Sequence, residues 1–323
     1  MKNKPTFGLG LLPFSHYSGR PTGRMQFDKL LSLAEQADHA GYDSIWTSDS
    51  IARSIPRFDT FLYLTAIAMR TKQVKLGTCV AVAPLRHPVM MTRILSTLDC
   101  FSGGRVLLGA GAGWIEPEFQ NLDIPFHERG GRTTEALRLI RRLWTEDDVT
   151  HDGKYYHIKQ VTIDPKPVQK PHPPILVGGN SDAAWKRAAE IGDGWVTLSY
   201  ITPADITHGV GRIKEFAEKN GRRFEPYVVG ELNINVGPNR REAEEEARAW
   251  HVTFLRGGKS EIMGGSSTDQ LAATGALGEP RVIADKAQEM IDAGAHCIMF
   301  RFLAFDLQTQ FDRLTDQVLP LLQ

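Results

Sequence analysis

Short apolar runs alternate along the chain with longer stretches in which apolar residues recur at helical spacing. Runs at 6–12 (TFGLGLL), 43–48 (DSIWTS), 74–82 (VKLGTCVAV), 105–111 (RVLLGAG), 174–179 (PILVGG), 194–199 (GWVTLS), 228–236 (VVGELNINV) and 297–302 (CIMFRF) predict eight strands. Between the first two, Phe27, Leu30, Leu31, Leu33, Ala34 and Ala37 predict a helix that stops at His39-Ala40-Gly41; Leu137, Leu139, Ile140, Leu143 and Trp144 predict another. Alternation of this kind builds parallel βαβ units, and eight of them close into an α/β fold of the (β/α)8 TIM-barrel type. An open doubly wound sheet is the rival, but it usually has fewer strands and splits into halves.

Two stretches interrupt the repeat. Residues 145–173 are polar, carry a DG turn between β-prone pieces and end rich in proline, which predicts a surface hairpin after the fourth helix. Residues 256–280 are rich in glycine and serine and precede the last βα unit; a stretch of that length predicts a lid near the active face. The expectation is one domain over residues 1–323 carrying both insertions.

Composition narrows the function classes. With 41% hydrophobic and 24% charged residues, the chain has the make-up of a soluble globule. Its 38 acids balance 38 Lys plus Arg, so no basic face for nucleic acid is expected. No apolar run reaches the roughly 18–20 residues of a membrane span, and the polar start MKNKPT has no signal-peptide core; a cytoplasmic protein is expected. Cys79, Cys100 and Cys297 are far apart and form no CxxC pair, so neither disulfide nor metal site is predicted.

In such a barrel the chemistry lies at the C-terminal strand ends. The rim would then hold Ser48, Asp49 and Ser50 after the second strand, and Ala83 to Pro88 after the third. The fourth would supply Gly113, Trp114, Glu116 and Glu118, and the fifth Gly178, Gly179, Asn180 and Ser181. SGGRVLLGAGAGW (102–114) divides accordingly. Its first glycines close a helix at the bottom face, where Arg105 is expected to pair with a carboxylate. Gly109, Gly111 and Gly113 share one strand face, which lets something planar or another backbone approach closely. Neither GK[ST] nor GxGxxG spacing is present there. In PILVGGNSDAAW a strand runs into Gly178-Gly179, and Asn180 or Ser181 caps a helix whose free N–H groups can hold a phosphate.

Five ordered blocks then carry a resemblance: VKLGTCVAVAPLRHPV, TLDCFSGGRVLLGAGAGWIEPEF, FHERGGRTTEALRLIRRLW, DPKPVQKPHPPILVGGNS and GDGW. Together they resemble the luciferase-like monooxygenase superfamily, which includes FMN-dependent monooxygenases and oxidoreductases using the deazaflavin coenzyme F420. The resemblance spans essentially the full chain and implies an isoalloxazine-type ring over the strand ends. It implies a bulge in the third strand, with a non-prolyl cis peptide, at Cys79-Val80, followed by Ala81. Gly111, Gly113 and Trp114 match the segment beside ring or substrate, and Gly178, Gly179, Asn180 and Ser181 the segment near the cofactor phosphate. Arg129 and Arg132 match an R-x-x-R for which an ion pair with Glu135 or another acid is expected.

One departure matters. Many deazaflavin-dependent relatives read Asp-His after the second strand, the histidine acting as acid or base, whereas this chain reads Asp49-Ser50. Serine does not titrate near neutrality, so catalytic candidates are Asp49 itself, Ser50 in the family position, His87, Glu118 and His16. Asp49 can alternatively cap the second helix or hydrogen-bond the ring. His127, His151, His157 and His172 read as solvated loop residues, and Arg301 as a site for an anionic substrate or the cofactor phosphate.

The resemblance implies an oxidoreductase that passes hydride between coenzyme F420 and a small organic substrate. The alternative is a two-component monooxygenase that uses reduced FMN and oxygen and is served by a separate flavin or F420 reductase. A third reading is a barrel subunit without chemistry. A homodimer is expected, with pocket walls from residues 13–20, 51–58 and 256–280, including Phe14, Tyr17, Ile55, Phe58 and Met263.

Overall fold

In the computed structural model, described over residues 4–12, 23–51, 57–253, 255–256, 259–260 and 267–322, every predicted run supplies a strand of the barrel. These are β1 (Thr6–Gly10), β2 (Ser44–Thr47), β3 (Lys75–Thr78), β4 (Val106–Gly111), β5 (Ile175–Gly178), β6 (Gly194–Val196), β7 (Tyr227–Val236) and β8 (Cys297–Phe302). Each pairs in parallel with its neighbours, and β6 pairs with β7 while β8 pairs with β1, so the barrel closes. Strands buried on both faces need no polar alternation. Accordingly β2, β4, β5, β6 and β8 are buried at every position.

The outer layer contains α1 (Gly23–His39), α2 (Thr60–Arg70), α3 (Pro88–Ser102), α4 (Arg129–Thr145), α5 (Asp182–Glu190), α6 (Pro203–Lys219), α7 (Arg240–Thr253), α8 (Pro280–Asp292) and α9 (Leu307–Arg313). Leu30, Leu33, Ala34 and Ala37 form the buried stripe of α1, and Gly41 beyond its end has φ +81°, which favours a residue without Cβ. Asp59 caps α2 through the amides of Phe61 and Leu62; Asp49 does not. Trp46, Leu107, Leu176, Val196, Val229, Cys297 and Met299 form a second buried cluster, against which Cys79 and Val80 pack.

Three local expectations change. The run 74–82 is one strand by pattern, yet β3 ends at Thr78 and pairing with β4 resumes only at Ala81–Val82. Arg105 meets no carboxylate in a hydrogen bond: it donates to the carbonyls of Ala68, Thr71, Val74 and Ser102, tying helix ends to strand starts at the bottom of the barrel. The stretch 256–280 is partly regular, because Thr268–Thr274 is helical and Ala276–Gly278 adds a parallel strand beside β7. Residues 257–258 and 261–266, where a lid would sit, lie outside the described residues. The hairpin stands where the pattern puts it, with Val149–Asp152 antiparallel to His157–Val161.

Candidate functional site at the C-terminal end of the barrel

The site begins with the break in β3. The Cys79–Val80 peptide is cis, and the segment swings toward β4 and β5. A Cβ on Gly109 would lie 1.9 Å from the carbonyl oxygen of Thr78. One on Gly111 would lie 2.6 Å, and one on Gly178 2.5 Å, from the methyls of Val80. At Gly111 the bare face of β4 admits the side chain of Val80, and at Gly109 the close approach of another backbone. Thr78 Oγ1 fastens it by donating to the carbonyl of Gly109 at 2.7 Å.

Above this bulge opens a cavity of about 510 Å³. Cys79, Val80, Gly111 and Gly178 line it, with Trp114 at the mouth and Glu231 and Arg301 within. Ligand sites of this size are ordinary for small molecules and cofactors.

Asp49 lines one side, with its side chain 1% exposed. Its Oδ1 accepts from Arg86 Nη2 at 3.0 Å, and its Oδ2 accepts from Arg86 Nη1 and from the Val82 amide. Burial pulls the Arg86 guanidinium down, but Asp49 and Asp59 outweigh it and hold the guanidinium above its ordinary value. Both oxygens of Asp49 are thus committed to joining the loop after β2 to the loop after β3.

Glu231 and Arg301, each 5% exposed, stand on adjacent strands with Glu231 Oε1 2.7 Å from Arg301 Nη1. Cys79 Sγ donates to Glu231 Oε2 at 3.5 Å, and the Glu231 amide donates to Thr197 Oγ1. Burial pushes the Glu231 carboxyl above its ordinary range despite the pull of Arg301, and pushes the Cys79 thiol well up. Arg301 thus forms a buried ion pair with Glu231 within the cavity.

At the other end two helices begin together. Arg129 and Gly130 open α4, while Ser181 caps α5 by accepting from the Ala184 amide at 3.3 Å; all four residues line the cavity. Gly179, at φ +120°, makes the turn into the cap, and Trp195 Nε1 donates to its carbonyl at 2.9 Å. Arg187 ties the two helices, donating to the Gly130 carbonyl at 3.0 Å and to Thr134 Oγ1 at 2.9 Å. Two positive helix ends and the lining cations Arg57, Arg129 and Arg187 make this end attractive to an anion.

The luciferase-like monooxygenase family model matches residues 7–297, most of the chain. The chain belongs to that family. Among its relatives, the F420-dependent glucose-6-phosphate dehydrogenase of Nakamurella multipartita is 28% identical, covering 91% of this chain and 92% of its own. The FMNH(2)-dependent dimethylsulfone monooxygenase of Pseudomonas putida is 27% identical over 80% of this chain and 77% of its own. A solved F420-dependent secondary alcohol dehydrogenase in complex with an F420-acetone adduct superposes with TM-score 0.84 at 19% identity, covering 99% of both chains; this likeness concerns the fold. The protein is a luciferase-like oxidoreductase.

Within this luciferase-like barrel the structure gathers Asp49, Cys79, Val80, Gly111, Gly113, Trp114, Gly178, Gly179 and Ser181 around the cavity. Ala81, Asn180, Ser50, His87 and Glu118 do not line it. Ser50 donates to Glu118 Oε1, which also accepts from the Ile51 amide at 2.9 Å, so the two candidates bond to one another beside the cavity. His87 caps α3 and meets Tyr156 edge-on. His16 lies outside the described residues, as do Phe14, Tyr17, Ile55 and Met263.

Arg132 pairs with another acid, Glu128, at 2.8 Å, as expected for the R-x-x-R, while Glu135 accepts from His151 and from the amides of Tyr155 and Tyr156, because the hairpin turn presents its donors there. His172 is buried and stacks on Trp144 instead of facing water. His127 is exposed, as expected, and stands at the cavity rim. Sequence reasoning missed Glu231, although a signal existed: in VVGELNINV the polar residues Glu231, Asn233 and Asn235 alternate with apolar ones, placing them on one strand face.

Proposed function

We propose that this oxidoreductase binds coenzyme F420 and transfers hydride between it and a small organic substrate. The observation that carries the reading is the form of the cavity. Its floor is the Cys79–Val80 bulge against the bare faces of Gly111 and Gly178, and its far end is a pair of helix N-termini with Arg129 and Arg187. A planar ring with an anionic tail fits both features.

The deazaflavin, when bound, supplies the hydride chemistry. This chain supplies the rest. Val80 backs the ring, while Asp49 and Arg86 lock the two loops that flank it. Gly130, Ser181 and Arg187 orient the tail phosphate, and Trp114 narrows the mouth and limits water. The Nakamurella multipartita relative, which matches nearly end to end, supports coenzyme F420 over FMN.

A second reading, oxygenation with reduced FMN supplied by a separate reductase, is favoured by the Pseudomonas putida relative. Titration with coenzyme F420, FMN and reduced FMN, followed by ring fluorescence, separates the two. Micromolar affinity for coenzyme F420 and weaker binding of both flavins is expected; oxygen uptake with a flavin reductase and FMN would favour the second reading.

The protein works as a homodimer in the cytoplasm on this proposal. Leu62 and Met69 of α2 and Met90 and Phe101 of α3 are large apolar side chains left exposed on neighbouring helices, a surface suited to a second copy. Among the described residues no helix is long and apolar enough to cross a membrane.

A further inference from the structure

We propose that Glu231 takes up and returns the substrate's proton, and that the substrate is an uncharged alcohol–carbonyl pair. The proposal rests on the hydride-transfer reading and extends it to the reacting end of the cavity. A hydride acceptor removes one hydrogen nucleus and two electrons, whereas an alcohol that becomes a carbonyl must also shed its hydroxyl proton. A positioned base is needed wherever bulk water is kept out.

The other candidates are engaged elsewhere. Ser50 and Glu118 face each other outside the lining, His87 caps α3, and Asp49 has both oxygens bound to Arg86 and Val82. Glu231 lines the cavity; its carboxyl is held from two sides, by Arg301 on β8 and Cys79 at the β3 break, while its main-chain amide donates to Thr197 after β6. Tyr200 is the remaining titratable neighbour; burial raises its hydroxyl first, and the charge of Glu231 raises it further. In its ionised form the Glu231 carboxylate compensates the Arg301 guanidinium 2.7 Å away. A charged substrate would gain nothing at this depth, and a neutral one loses nothing.

In the oxidation direction the O–H proton passes to the Glu231 carboxylate and the C–H electron pair leaves as hydride to the deazaflavin. The C=O bond forms, the substrate loses two electrons, and the cofactor gains them. Glu231 releases the proton to water once product leaves. Reduction runs the same steps backward, with Glu231 as acid.

The test compares wild type with Glu231→Gln and Glu231→Asp. Cofactor-free protein is titrated with infrared detection of the carboxylic-acid C=O stretch. A band persisting above the ordinary glutamate range and missing from Glu231→Gln supports the proposal; its presence in both proteins, or in neither, overturns it. Coenzyme F420 binding is then followed by fluorescence and turnover measured with 2-propanol and cyclohexanol. Binding within about twofold of wild type, kcat down about 100-fold with the acidic limb of the pH profile lost, and partial recovery in Glu231→Asp are expected for removal of a general base. An unchanged pH profile in Glu231→Gln overturns the proton role, and wild type that binds coenzyme F420 but oxidises neither alcohol overturns the substrate class. Absence of coenzyme F420 binding to wild type defeats the cofactor reading first, and the proposal with it.

Discussion

Val80 occupies the space that a side chain on Gly111 would need: a Cβ there would stand 2.6 Å from its Cγ2. That relationship makes the β3 break and the bare face of β4 one structural unit. Gly111→Ala must push back a methyl, which can give way, whereas Gly109→Ala meets the Thr78 carbonyl at 1.9 Å, which is backbone. Overpacking of this kind costs about 1–3 kcal/mol. Chemical denaturation is expected to find Gly109→Ala the more destabilised of the two; equal losses would mean that the bulge does not bear on β4 as described.

The ion pair of Asp49 with Arg86 yields a second expectation. Removing one partner of a buried pair leaves a charge stranded, at a cost of roughly 3–5 kcal/mol. Asp49→Ala is expected to lower stability on that scale and to weaken cofactor binding, since the loops after β2 and β3 lose their link. Ser50→Ala removes only a bond to Glu118, outside the cavity lining, and is expected to cost far less than tenfold in turnover. Steady-state kinetics and unfolding curves of both variants decide it, and the reverse order would reassign the roles.

These two cases also mark how far the sequence can be read. The eight staves were legible because strands buried on both faces must be apolar throughout, and DSIWTS or CIMFRF has few other uses. The break after Thr78 was not legible by periodicity, since VKLGTCVAV is unbroken; only the family resemblance placed it. Arg105 misled because a sequence displays charged partners, while its hydrogen bonds go to main-chain carbonyls at the bottom of the barrel. Ser181 was legible as a cap, but Arg187, a turn further on, became visible as a tie between α4 and α5 only when the barrel brought those helices together.

Acid stability follows from buried imidazoles. Burial lowers the pKa of His87, His251 and His296, and the Nδ1 of His296 accepts the Val228 amide at 3.2 Å, a bond that requires the neutral ring. A histidine with a depressed folded pKa binds its proton more tightly when unfolded, so stability falls as pH drops below the ordinary value near 6.5. Urea midpoints are expected to decline between about pH 7 and pH 5, before carboxylates begin to protonate. His296→Gln should flatten part of that limb; a midpoint independent of pH in this window contradicts the assignment.

Dimer formation through α2 and α3 has a direct readout. Leu62→Lys combined with Phe101→Glu places charge on both apolar helices without touching the cavity. Sedimentation is expected to convert a wild-type dimer to monomer with cofactor binding retained. A wild-type monomer, or a variant that stays dimeric, moves the interface elsewhere.

The anionic end of the cavity can be tested through Arg187, which is buried yet donates to the Gly130 carbonyl and to Thr134. Burial depresses its guanidinium relative to the ordinary value, so its charge is held at some cost and is poorly screened by water. Arg187→Met keeps the length of the chain and removes both the charge and the tie between α4 and α5. Affinity for coenzyme F420 is expected to fall about tenfold, equivalent to about 1.4 kcal/mol, and the salt dependence of binding should weaken because one cation no longer takes part. Arg187→Lys, which keeps the charge but not the forked donor, should lie between the two. If fluorescence titrations find the same affinity for all three proteins, the tail phosphate does not rest between these helices.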